Sequence, residues 1–119
     1  MRKLENHSTS ELVDEFLKTC LALYEASERD EIRKYNRLMG RVSNIERALR
    51  GMSGDQRYVL LPMYTHPNIF VRLMSAMVTS DLAPLEAKGV FEGVEASHIY
   101  PYAADAAFAL RSLEARHKP

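Results

Sequence analysis

IFVRLMSAMVTSDL, residues 69–82, is apolar on nearly every side of the helix that it predicts. The turn His66-Pro67-Asn68 precedes it, and Asn68 is a favourable N-cap residue. A helix without a polar face must be covered by the rest of the protein on several sides. We therefore predict that this segment is the central helix of an all-α fold.

Two longer helices are predicted before this segment. The first begins near Ser8, where Ser8-Thr9-Ser10-Glu11 has the pattern of a capping box and apolar residues then recur every three or four positions. The second follows a pause at residues 27–30 and ends at Gly51, where we expect a left-handed turn. Because the link between them is short, the two helices should pack as an antiparallel hairpin.

Three more helices complete the prediction. A short helix follows Ser53-Gly54-Asp55-Gln56, which reads as a second capping box, and reaches about Tyr64, with Pro62 disturbing its last turn. Pro84 begins the next helix, and Pro101 opens the last one.

The predicted fold is all-α, with about six helices in three antiparallel pairs. One domain of this kind accommodates residues 1–119. We expect loose tails at residues 1–7 and 116–119, because neither end continues a helical pattern.

The stretch LLPMYTHPNIFVR, residues 60–72, resembles a HEAT repeat. It has a leucine-rich first helix with a proline, then a turn, then Val71-Arg72 at the start of a second helix. The later helices form a weak copy, in which Asp105 aligns with Arg72, 33 residues earlier. This resemblance implies an α-α superhelix of the HEAT or armadillo type, in which each helix pair covers its neighbour.

Most of the chain is similar to a family of short bacterial proteins classed as a domain of unknown function with HEAT-like or armadillo-like helices. The matching pieces are Leu12-Val13-Asp14-Glu15-Phe16, Lys34-Tyr35-Asn36-Arg37-Leu38, Gly54-Asp55-Gln56-Arg57 and residues 60–73. The family has no established activity, so the resemblance implies the fold and no functional residue.

The composition is that of a globular protein with zero formal net charge and 46% hydrophobic residues. The longest apolar run, residues 58–64, is too short to span a membrane, and there is no secretory signal. The single cysteine, Cys20, allows no internal disulfide and lies on the apolar stripe of the first helix, where we expect a buried, unreactive thiol. We therefore predict a cytoplasmic protein that does not bind membranes.

No catalytic, cofactor-binding or metal-binding motif is present. The four histidines, His7, His66, His98 and His117, do not pair at the helical spacing of a zinc site. Gly89 and Gly93, four residues apart, are expected to allow close helix packing. These observations predict a protein that is not an enzyme and carries no cofactor.

Two charged residues stand alone in apolar surroundings. Arg72 is the only full charge between residues 58 and 80, and Asp105 is the only one between residues 96 and 110. Since they align in the repeat, we predict that they form an ion pair between neighbouring helices.

The function predicted from these patterns is a non-enzymatic protein-interaction module, an adaptor or an immunity-type inhibitor. The turn before the helix at residues 69–82 and the turn before the last helix should lie side by side. This would gather His66, His98, Tyr100 and Tyr102 into a partner-binding edge. The oligomeric state is left open by the sequence.

The alternative function is binding of nucleic acid or phosphate by the second helix. Arg33, Arg37 and Arg41 follow one another at intervals of four residues, opposite the apolar face. Such a basic ridge can bind phosphates, or it can be a solvated face that the acidic first helix balances.

Overall fold

The protein is all-helical in a computed structural model that describes residues 4–116. Within that range there are five α-helices, two 3₁₀ segments and no β-strand. The chain divides into two compact units: unit 1 ends at Val59 and unit 2 begins at Leu60.

Unit 1 is built on the helical hairpin of α1 (Thr9–Glu28) and α2 (Ile32–Arg50), preceded by a 3₁₀ turn at Leu4–Asn6. The predicted capping box is confirmed: the Glu11 N–H donates to Ser8 Oγ (3.1 Å), and the Ser8 N–H donates to Glu11 Oε1 (2.8 Å). Most of the apolar stripe of α1 is buried, as its periodicity predicts, but on α2 only the C-terminal half of the stripe is buried, and Ile32 at its start is 71% exposed. The buried hydrophobic residues are Leu12, Phe16, Cys20, Leu23 and Ala26 on α1, and Val42, Ile45 and Leu49 on α2.

Gly51 caps the end of α2, but its backbone is right-handed, with φ of −76°. The predicted left-handed turn at this glycine is therefore wrong. Gly54, which is also in unit 1, has a left-handed backbone instead, with φ of 81°. The freedom of a glycine backbone is thus used three residues later than we expected.

The predicted short helix is present as a 3₁₀ segment, Gln56–Thr65. Pro62 lies inside this segment and, because it has no N–H, interrupts the backbone hydrogen bonding there. The predicted capping box is wrong, because Gln56 Nε2 donates to the Ser53 carbonyl oxygen (2.8 Å). Asp55 instead accepts hydrogen bonds from the Arg57 guanidinium at 2.9 and 2.8 Å, and this pairing lowers the pKa of the Asp55 carboxyl.

Unit 2 contains α3 (Ile69–Thr79), α4 (Pro84–Ala96) and α5 (Tyr102–Arg116). Short links join them, and α3 packs against both α4 and α5, which also pack against each other. Nine of the eleven residues of α3 are buried, as expected for a helix without a polar face. Met77 is an exception to the prediction: it is 42% exposed, although its position in an apolar run suggested a core residue.

The tails differ in part from the prediction. Residues 4–6 form a 3₁₀ turn, and Arg116 still belongs to α5, where its Nη2 donates to Ser80 Oγ (3.3 Å). The rest of the predicted tail segments, residues 1–3 and 117–119, and with them His117, lies outside the described residues.

The Asn68 cap of α3 should contribute measurably to stability. Its Oδ1 accepts from the N–H groups of Phe70 (2.8 Å) and Val71 (3.1 Å) at the start of a buried helix. We expect Asn68→Ala to lower the free energy of unfolding by about 1 kcal/mol, measured by urea denaturation, because both donors lose their acceptor. Asn68→Asp should retain most of the stabilisation, because aspartate also has a side-chain oxygen that can accept from these N–H groups.

The matched control is Asn44→Ala, since Asn44 is exposed on α2. That substitution should change the unfolding free energy by less than about 0.5 kcal/mol. Equal stability of Asn68→Ala and the unchanged protein would contradict the role of the cap.

Candidate functional site

The two turns of the predicted partner-binding edge lie at the same end of unit 2. Phe70, in the first turn of α3, contacts Tyr102, the first residue of α5, with ring centroids 5.9 Å apart and an interplanar angle of 85°. The turn that leads into α3 and the turn that leads into α5 therefore emerge next to each other.

Tyr102 does not belong to the exposed edge. It is 1% exposed and stacks edge-on against Phe70 inside the core of unit 2. The prediction failed at this residue because a tyrosine in a turn and a tyrosine on the first turn of a helix look alike in a sequence. The helix periodicity of α5 turns Tyr102 inward, on the same side as Ala106 and Leu113.

The other three residues of the edge have different roles. His66 is half-buried and structural: its Nδ1 accepts from the Asn68 N–H (3.0 Å). His98 is exposed and has a left-handed backbone, with φ of 55°. Tyr100 is 65% exposed, and its neighbour Ile99 is 51% exposed. The exposed part of the edge is thus His98, Ile99 and Tyr100.

The predicted ion pair between Arg72 and Asp105 is not formed within residues 4–116. Arg72 Nη1 instead donates to the carbonyl oxygens of His66 (2.8 Å) and Pro67 (3.0 Å). Asp105 is exposed on α5, although the helices around it desolvate its carboxyl enough to raise the pKa. Backbone carbonyl oxygens of the preceding turn thus accept the hydrogen bonds of Arg72. Aligning the repeats compares side chains only, so it could not predict these backbone acceptors.

A cleft of about 440 Å³ opens beside Arg72 in unit 2. Its lining comes from the end of the 3₁₀ segment, from α3 and from one face of α4: Tyr64, Thr65, Arg72, Glu86, Gly89, Val90, Gly93 and Val94. The Tyr64 hydroxyl hydrogen bonds with the Thr79 hydroxyl, and burial raises the pKa of this tyrosine. This arrangement fixes one wall of the cleft.

Gly89 and Gly93 do not serve close helix packing. Both are exposed, and a Cβ placed on either would meet no atom within 4 Å. Two glycines inside a helix destabilise it by roughly 1 kcal/mol each relative to alanine. Their position in the sequence, four apart within a predicted helix, was the one signal that could have located the cleft.

The basic face of α2 is only partly available. Arg41 forms an ion pair with Glu15 on α1, with Nη2 and Oε2 2.6 Å apart. This contact lowers the pKa of Glu15, chiefly through the hydrogen bond from the arginine. Arg33 and Arg37 are exposed, and neither forms an ion pair in the part of the chain that the structure describes.

Within residues 4–116, no group of three or more His, Cys, Asp or Glu side chains is placed to hold a metal ion. Cys20 is buried as predicted, and its burial raises the thiol pKa to about 12. Among the described helices, none has both the length and the apolarity to cross a bilayer.

Comparison with known proteins places these features in a family. A family model described as "Domain of unknown function (DUF2019)" matches residues 10–114. The chain is also similar to the crystal structure of the protein RPA1889 from Rhodopseudomonas palustris CGA009, with 33% sequence identity and a TM-score of 0.92 over 100% of this chain and 99% of that one. No curated protein matches the sequence. Neither description names an activity, a ligand or a partner.

The ion pair between Glu15 and Arg41 predicts a pH dependence of stability. Because its folded pKa is lowered, Glu15 adds stability above its ordinary pKa of about 4.3 and loses it as the pH falls through the lowered value. Both side chains are partly exposed, at 29% and 40%, so Glu15→Gln should cost only about 0.5 kcal/mol at pH 7. Urea unfolding at pH 7 and near pH 3 measures the loss of stability in this variant at each pH.

Asp14→Asn provides the control, since Asp14 is exposed on the same helix and has no ion pair among the described residues. Its effect should be smaller at pH 7. A cost of Glu15→Gln that stays the same at both pH values would rule out the ion pair as its source.

Proposed function

The chain belongs to the DUF2019 family, and from the surface of unit 2 we propose that it is a non-enzymatic module that binds another protein, as an adaptor or an inhibitor. The observation that carries the proposal is the open cleft between Arg72 and the glycine face of α4. Ile99 and Tyr100 are exposed turn residues of the same unit.

Arg72 supplies the polar anchor of the cleft. Two backbone carbonyls hold its Nη1, whereas Nε and Nη2 have no acceptor within residues 4–116. A guanidinium held in this way has already lost most of its conformational freedom, so binding a carboxylate costs little further entropy. An acidic side chain or a carboxyl terminus of a polypeptide therefore fits this end of the cleft.

The glycine face of α4 favours a polypeptide over a small molecule. Gly89 and Gly93 leave the backbone of α4 bare over two turns, which allows a second backbone to approach closely. Glu86 lies one turn earlier and gives the opposite charge to that of Arg72. A cleft that is this open encloses little of a small ligand, but it suits an extended or helical segment.

The exposed turn adds the contact area that such binding needs. Tyr100 and Ile99 are each more than half exposed. Tyrosine combines a large apolar ring with a polar tip and is enriched where binding energy is concentrated. His98 next to them has a left-handed backbone that glycine would adopt more easily.

The arrangement of helix pairs and the location in the cell are part of the same proposal. We propose a HEAT-like stacking, supported by the contact between Phe70 in the first turn of α3 and Tyr102 in the first turn of α5. We propose the cytoplasm as location because the one cysteine forms no internal disulfide. A solution measurement that places the first turns of α3 and α5 far apart would contradict the stacking.

Filling the cleft should abolish peptide binding without unfolding the protein. We expect a random-peptide display library to yield ligands that contain an acidic residue or a free carboxyl terminus, because Arg72 offers unused donors. Gly89→Leu and Gly93→Leu should each weaken these ligands at least about tenfold, or about 1.4 kcal/mol, in calorimetric titrations. Both positions have open space for a side chain, so the fold should tolerate them.

Gly40→Leu is the matched control, since Gly40 lies on α2 and is equally open. It should leave peptide affinity unchanged. Failure to enrich any peptide, or peptides whose affinity ignores both cleft substitutions, would contradict the proposed site.

A second candidate function rests on Arg33 and Arg37, the two exposed arginines of α2 that lack an ion pair among the described residues. If they bind nucleic acid, Arg33→Ala and Arg37→Ala should each reduce the slope of log affinity against log salt by about 0.9. Arg41→Ala should change the slope less, because Glu15 already neutralises Arg41. Fluorescence anisotropy with labelled DNA and RNA at several salt concentrations measures these slopes, and no binding at low salt would exclude this function.

A further inference from the structure

The exposed face of α5 combines an uncovered aromatic ring with two charges of opposite sign. Phe108 is 69% exposed at the middle of this helix. Asp105 lies three residues before it and Arg111 three residues after it, and both are exposed. Within residues 4–116 neither of these charges takes part in an ion pair.

A groove of about 480 Å³ borders this face on the side of α3. The groove is lined by Met77 and Ser80 of α3, Phe91 of α4, and Phe108, Ala109, Ser112, Ala115 and Arg116 of α5. Met77 is the one apolar residue of α3 that is not buried. The apolar surface of Phe108 thus continues into Met77.

We propose that this face binds a second copy of the chain, through antiparallel packing of α5 on α5 about a two-fold axis at Phe108. The argument is the symmetry of the charges. In such a pair, a residue three positions before Phe108 faces one that is three positions after it, so Asp105 of each copy meets Arg111 of the other. With a rise of about 1.5 Å per residue, both charges lie about 4.5 Å from the axis along the helix.

The remaining residues of the face suit the same geometry. Ala104 and Ser112 lie four positions before and after Phe108, so they also face each other across the two-fold axis. Their small side chains let the helices approach to the usual 8–10 Å, a separation that an arginine on each copy can bridge to reach the opposite carboxylate. The two phenylalanines then shield each other from water at the centre, next to the groove at Met77.

An unrelated acidic or basic partner fits this surface less well, since it would satisfy only one of the two charges. A contact centred on one helix is small by the standard of stable interfaces, so the dimer should be weak and depend on concentration. It uses α5 and not the cleft on α4, and therefore stands or falls independently of the proposed function.

Sedimentation equilibrium of the whole chain from about 5 to 500 μM, a range that brackets weak association, tests the proposal. We expect the apparent mass to rise from 13.6 kDa toward twice that value. Asp105→Arg and Arg111→Asp should each remain monomeric alone, because like charges then face each other. An equimolar mixture of these two variants should associate again, since every facing pair is once more opposite in charge.

Phe108→Asp should weaken the association at least about tenfold. Leu85→Asp is its control: Leu85 is 80% exposed on α4 and lies outside the face, so its substitution should leave the association unchanged. Far-UV circular dichroism confirms that each variant is folded. A monomer at the highest concentration, dimerisation that persists in both single charge variants, or no association in their mixture would overturn the proposal.

Discussion

α3 has almost no polar face, and unit 2 depends on covering it. Nine of its eleven residues are buried, and a helix of that composition is stable only when other elements exclude water from it. Within unit 2, α4 and α5 both pack against it. Burial also removes its first N–H groups from water, and the Asn68 side chain replaces that water as an acceptor. The Asn68 cap and the packing of α4 and α5 both contribute to the burial of α3.

The coverage of α3 is incomplete at two residues, and each of them lines a proposed binding surface. Arg72, near the N-terminal end, reaches the cleft along α4, while backbone carbonyls of the preceding turn hold part of its guanidinium. Met77, near the C-terminal end, reaches the groove beside α5 and its exposed Phe108. A protein this small cannot cover every apolar helix face by itself, and the faces left open are natural places for partners.

The charge distribution of unit 1 follows a different principle. The acidic α1 and the basic α2 pack together, and the pair of Glu15 and Arg41 shows how part of the basic ridge is neutralised inside the hairpin. A partly exposed pair of this kind adds little stability. It does, however, reduce the part of the basic ridge that is unpaired among the described residues to Arg33 and Arg37, which leaves less positive surface for a nucleic acid.

The sequence by itself determined the features that depend on neighbours along the chain. These include the helical segments, the Ser8 and Asn68 caps, the N-terminal Pro84 of α4 and the burial of Cys20, because helix period and capping act over a few residues. Only the tertiary structure decided which faces are covered. Residues that share a helix face cannot reveal from their spacing whether another helix lies opposite, so Tyr102 turned inward, whereas Gly89, Gly93 and Phe108 remained open to solvent. Arg72 likewise donates to backbone carbonyl oxygens of a turn and not to the carboxylate predicted for it. Every residue has a backbone carbonyl, so the sequence does not indicate which of them will act as an acceptor.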